Sequence, residues 1–170
     1  MRPCVLLLAL LLTALPALGS ELKLATWNIA WLTLRAAGDP AVPPDVPPRQ
    51  PEDFALLADY ARKLDADVVA LQEIDGPEAA AKVFDPAEFQ LIFAEERDVQ
   101  RTGFAVRRDL KVIRHPDLTA LDLYPGARFS LRRGTDITVE AGGTRLRLLS
   151  IHLKGGCRDE PLDAVIIECG

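Results

Sequence analysis

The stretch from Asp65 to Ile74 constrains this chain more than any other. Val68 to Leu71 is an unbroken apolar run, β-branched at its first two positions, and it stops at Gln72-Glu73. Four apolar residues in a row fit a strand buried on both faces better than one half exposed to water. A buried strand that closes on a carboxylate aims an acid into the cleft past its carboxyl end. Taken alone, Glu73 is equally well a solvated charge at a strand end.

The flanking sequence supplies two more strand ends with chemical groups. From Glu21 to Ile29, Leu22, Leu24, Thr26 and Asn28 alternate with Lys23, Ala25, Trp27 and Ile29, which predicts a strand ending near Asn28. Gly38 to Pro51 holds six prolines and two aspartates and reads as an extended loop within one domain. Pro51-Glu52-Asp53 then opens a helix, with proline in its first turn and acids at the positive end of its dipole. Phe54, Leu57, Ala58, Ala61 and Leu64 fall on one face of it. Strand, loop, helix, strand is an α/β crossover. It sets the strands of Asn28 and Glu73 side by side with their ends aligned.

Further on, a short helix is expected over 76–83. Strands are expected over 89–94, 101–107, 111–113, 127–133 and 135–140. A hairpin at Ala141-Gly142-Gly143 leads into a strand over 144–153. In that last strand Leu146, Leu148, Ser150 and His152 share a face. An amide, a carboxylate and an imidazole, each at a strand end, suit hydrolysis of a phosphate ester. A hard cation such as Mg²⁺ takes one carboxylate together with phosphate oxygens, and a histidine stabilises the phosphate or moves a proton.

The first 19 residues read as an export leader. Met1-Arg2 is basic, Val5 to Leu12 is apolar, and Ala17-Leu18-Gly19 carries small residues for cleavage near Gly19-Ser20. The apolar run is short for a membrane span and Pro16 interrupts it, so no stable membrane insertion is expected once the leader is removed. The expected location is exported, periplasmic or extracellular. Residues 20–170 are then the mature chain, enough for one core. Without Arg2 it carries 19 basic against 25 acidic residues, a net charge of −6. That balance excludes a protein that coats nucleic acid by bulk charge. Cys157 and Cys169 fit one disulfide in an exported chain, worth about 3 kcal/mol by loop closure if unstrained. A metal site is the alternative, though it lacks the partner ligands zinc takes.

Leu24-Ala25-Thr26-Trp27-Asn28-Ile29, Val69-Ala70-Leu71-Gln72-Glu73-Ile74 and Ser150-Ile151-His152-Leu153-Lys154 together resemble the first three signatures of the endonuclease/exonuclease/phosphatase family. This is the family of deoxyribonuclease I-like enzymes. The segment Arg101 to Arg107 resembles the strand that the family places before its central turn. His-Leu-Lys-Gly-Gly-Cys with a second cysteine downstream resembles exported bacterial members.

The resemblance implies part of a two-sheet α/β sandwich and metal-dependent hydrolysis of a phosphodiester or phosphomonoester, with an exported endonuclease or exonuclease favoured. It implies Mg²⁺, with Mn²⁺ or Ca²⁺ as alternatives, and nucleic acid or another phosphodiester as substrate. Position by position, it makes Glu73 the metal ligand, Asn28 a support of metal or scissile phosphate, and His152 the catalytic contact to phosphate. Lys154, Arg101 and Arg107 are looser phosphate contacts. Gln100 stands where one branch of the family has a glutamate that orients the histidine.

The family's later signatures, a Gly-Asp-Phe-Asn-like and a Ser-Asp-His-like segment, do not occur before Gly170. The expectation is therefore an N-terminal portion of the domain, with weak or no activity by itself and an apolar sheet face left uncovered. The alternative is a non-catalytic exported α/β protein that keeps half the fold and binds a phosphate ligand or a partner.

Overall fold

The computed structural model describes residues 21–122 and 132–153. The leader, Lys154, Cys157, Cys169 and most of the strand expected over 127–133 lie outside the described residues. In order the elements are β1 (Leu24–Leu32), α1 (Pro51–Leu64), β2 (Val68–Ile74), α2 (Pro77–Ala80), β3 (Phe89–Phe93), β4 (Arg101–Arg107), β5 (Lys111–Arg114), β6 (Thr135–Ala141) and β7 (Thr144–Ser150). One sheet has the order β1-β2-β4-β3, with β1 and β2 parallel and the other pairs antiparallel. The second sheet, β5-β6-β7, is antiparallel throughout.

The apolar run is buried on both faces, as its composition requires. Val69 and Leu71 point to the helical side, into a core with Ile29, Leu32, Phe84, Phe89 and Ala105, against which Phe54, Leu57 and Leu64 of α1 pack. Val68 points the other way. With Phe104 and Val106 it meets Ile137 and Val139 of β6 between the sheets. The result is helix on sheet on sheet, the α/β sandwich that the resemblance implies.

Local chemistry fixes the crossover. Pro51 stands in the first turn of α1, Glu52 and Asp53 follow it, and Arg62 and Lys63 close the last turn. The Asp53 carboxylate accepts from the Gln50 backbone N–H at 2.8 Å, half of a capping box. Asp65 ends the helix in the left-handed region and the chain turns directly into β2. At the hairpin, Gly142 (φ 54°) and Gly143 (φ 79°) form the two-residue loop between Ala141 and Thr144, a backbone that only glycine adopts without cost.

Three expectations shift. β1 runs on to Leu32 instead of stopping near Asn28, because it bulges and then rejoins β2. The helix expected over 76–83 is the single turn Pro77–Ala80. β7 ends at Ser150, so His152 lies two residues beyond it. The outer face of the second sheet is also less apolar than expected. Opposite Ile137 and Val139, Asp136 takes a two-pronged contact from Arg147, and Thr138 meets His115 Nε2 at 2.8 Å. Exposed large apolar side chains on this sheet and the segment after it are Leu146, Leu149, Ile151 and Leu153. Among the described residues no helix is long and apolar enough to cross a membrane.

Candidate active site at the bulged ends of β1 and β2

β1 and β2 pair residue by residue from Leu24↔Val68 to Asn28↔Gln72, then resume at Leu32↔Ile74. Four steps on β1 match two on β2. The extra residues are taken up by Ala30 (φ 46°) and Trp31 (φ 58°), both left-handed without being glycine. β2 slips against its other neighbour at the same level, between Leu71↔Gly103 and Ile74↔Arg101, and Glu73 has φ 61°. Each such residue costs on the order of 1–2 kcal/mol. Bulges break the strict alternation of side chains and re-aim them. Here they bring Asn28 and Glu73 to one corner.

At that corner Asn28 Nδ2 donates to Glu73 Oε1 at 2.7 Å. Asn28 Oδ1 accepts from the Ala30 N–H at 2.9 Å, inside the bulge. Because a backbone N–H must face an acceptor, this second bond fixes which end of the amide is oxygen. Asn28 therefore turns its nitrogen to Glu73 and braces the carboxylate.

His152 arrives from the other sheet, with Nε2 3.3 Å from the same Glu73 oxygen. Ser150, at the end of β7, donates to the Leu71 carbonyl at 2.9 Å and accepts from Gln72 Nε2 at 3.2 Å. These bonds lock β7 to β2 just before the histidine. Burial, and then the charge of Arg132, hold the His152 imidazole below its ordinary pKa, while Glu73 and Asp98 pull it back up. The ring is thus neutral at neutral pH. An ionised Glu73 can only accept, so Nε2 carries the hydrogen and Nδ1 is left as the acceptor. Nδ1 is buried and, among the described residues, has no hydrogen-bond partner.

Arg132 is the residue that sequence reasoning missed. It precedes β6, in a segment read as continuous strand. Its Nη2 donates to Oε1 of Gln100, which is itself buried. Gln100 thus holds an arginine, and the histidine takes its carboxylate contact from Glu73. Arg132 Nε is buried with no acceptor among the described residues. The signal available in the sequence was the pair Arg132-Arg133 immediately before a β-branched strand.

The looser candidates lie elsewhere. The Arg101 guanidinium is 3.9 Å from Asp75, and its Nε donates to the Asp98 carbonyl. It lines an open groove of about 450 Å³ between β3 and β5, together with Glu95 and Arg114. Arg107, at the far end of β4, pairs with Glu88 at 2.7 Å and Asp65 at 3.3 Å.

The ligand group at the corner is the Glu73 carboxylate, since the Asn28 amide is engaged at both of its ends, and among the described residues no group of three His, Cys, Asp or Glu side chains converges on a point. That arrangement fits a cation that keeps several waters and binds one carboxylate plus substrate oxygens, which is how Mg²⁺ is usually held.

No family model and no curated protein matches the chain. Among solved structures, the crystal structure of humanized D. rerio TDP2 with 14 mutations matches at TM-score 0.53 and 19% identity, covering 75% of this chain and 45% of that one. The chain thus spans less than half the length of that structure. The likeness extends to the fold, a deoxyribonuclease I-like α/β sandwich.

Proposed function

We propose that this chain carries the cation corner of a metal-dependent phosphodiester hydrolase, exported and acting most readily as an endonuclease or exonuclease. The observation that carries the reading is the convergence of Asn28, Glu73 and His152, from three separate segments, on a single carboxylate oxygen. Glu73 would hold the cation, with Asn28 bracing the carboxylate. The ion, Mg²⁺ or a close substitute, supplies positive charge to the phosphoryl oxygens and the leaving group.

The protein's own groups do the rest. The lowered pKa of His152 keeps its ring unprotonated at neutral pH, beside the carboxylate that would hold the cation. Arg132, held by Gln100, adds positive charge near the histidine, of a kind that would attract an anionic phosphate ester.

Isothermal titration with Mn²⁺, run beside hydrolysis of bis(p-nitrophenyl) phosphate, tests the reading. Expected are one bound cation and slow, cation-dependent turnover, both lost in Glu73→Ala. His152→Ala should keep the cation and lose the turnover. Phosphate binding without any cation dependence would favour the non-catalytic alternative.

A further inference from the structure

At the bulge that creates the corner, one side chain gathers two backbone carbonyls. Arg49 Nη2 donates to the Ile29 carbonyl at 2.7 Å and to the Ala30 carbonyl at 2.9 Å. Both carbonyls lie in the stretch where β1 has left its register with β2. The Ile29 bond is partly buried and the Ala30 bond exposed, and a charged donor is the strongest available partner for such carbonyls. Among the described residues the buried Arg49 Nε has no hydrogen-bond partner.

The segment carrying Arg49 is stiff on both sides. Pro47-Pro48 precede it, and Gln50, in its capping box with Asp53, leads into Pro51. Prolines fix φ and reduce the freedom lost on ordering. The proline-rich loop is therefore more than a spacer: it delivers a guanidinium to the back of the bulge. From there the bonds run in series. Arg49 holds Ile29 and Ala30, the Ala30 N–H holds Asn28 Oδ1, and Asn28 Nδ2 holds the Glu73 carboxylate.

We propose that Arg49 is a positioning residue for the cation corner, fixing the left-handed bend at Ala30 so that Asn28 presents its amide nitrogen to Glu73. The role in cation binding rests on the reading of Glu73 as the ligand. The effect on Asn28 does not.

The experiment follows the Asn28 side-chain NH₂ resonances by NMR, identified by their disappearance in Asn28→Asp. In the wild-type chain they should be shifted from free-amide positions and exchange slowly. Arg49→Met removes the donors and keeps the stem. It should return the resonances to free-amide positions and weaken Mn²⁺ binding roughly tenfold, the lower end of effects seen when an outer support of a metal site is lost. Arg49→Lys restores a donor and should recover most of both signals. Arg62→Ala, on the exposed face of α1, should change neither. If Arg49→Met fails to fold, Arg49→Gln, whose shorter stem falls short of the carbonyls, takes its place.

Unchanged Asn28 resonances in the variant overturn the inference. An absence of Mn²⁺ binding by the wild-type chain, with the Asn28 resonances still responding to Arg49, overturns the cation reading alone.

Discussion

Two glutamates, Glu73 and Glu96, show how one residue type takes two roles. Glu73 sits where β1 and β2 bulge. Its side chain is 16% exposed, and it meets an amide donor and an imidazole. Glu96 sits in the loop between β3 and β4. One of its oxygens accepts the Arg133 N–H at 3.2 Å, and the other is buried with no partner among the described residues. Among the same residues Asp122 Oδ1 is likewise buried without a partner, and Arg133 approaches Oδ2 at 3.8 Å. Burial, with Asp98 and Asp122 adding to it, pushes the Glu96 carboxyl up to about 7 against the smaller pull of Arg133. A carboxylate given donors and an opening to water is ready for a cation. One that is more buried and stands beside other acids holds its proton to higher pH.

That contrast is broken most sharply at Glu73. Glu73→Gln should lower Mn²⁺ affinity by about 100-fold or more, at the upper end of what loss of a support at a metal site costs, with little change in thermal stability. Glu96→Gln should leave Mn²⁺ affinity unchanged in the same titration. Equal losses in both would mean that the cation is held by overall charge and not by the bulged corner.

The next effect concerns the strand that joins the two regions. Gly103 faces Leu71 of β2 and Phe93 of β3. A Cβ added there would lie 2.4 Å from the Phe93 ring and 2.7 Å from the Ile92 carbonyl oxygen. Gly103→Ala should cost about 1–3 kcal/mol in denaturant unfolding by overpacking. The Asp98–Gln100 turn and the slip at Glu73 both hang from β4, so it should loosen both corners together.

Glu96 predicts a pH dependence of definite sign. Its ordinary value is 4.5 and its folded value about 7, so the folded state holds the proton more tightly between those limits. Stability should therefore fall as pH rises from about 4.5 to 7 and then level off. The drop is about 1–2 kcal/mol once solvent screening of a half-buried group is allowed for. Glu96→Gln should flatten that slope, as chemical denaturation across the range would show. The smallest effect is expected outside both corners. Arg147→Ala removes the pair with Asp136 on the outer face of the second sheet and should lower the denaturation midpoint only slightly, with no effect on cation affinity.

Much of the first sheet was legible in the sequence because its signals are local. The Val68–Leu71 run, the Pro51 start of α1, the span of β4 and the Gly142-Gly143 turn each carry their own backbone instruction. Asn28 and Glu73 followed from the crossover between their strands, and His152 from the alternation along β7. The bulge did not follow, because nothing in Ala30-Trp31 advertises a left-handed backbone. Those residues are held there by Arg49, nearly twenty positions away. Arg132 was hidden for a related reason. Its role comes from Gln100, on another strand, and arginine in a β-rich stretch looks like an ordinary exposed charge.

The most direct test is the anomalous diffraction of a crystal grown or soaked with Mn²⁺. A peak within coordination distance of the Glu73 carboxylate, beside Asn28 and His152, is the predicted result. A peak at Glu96 and Asp122, or none at the Glu73 corner at saturating Mn²⁺, would contradict the account.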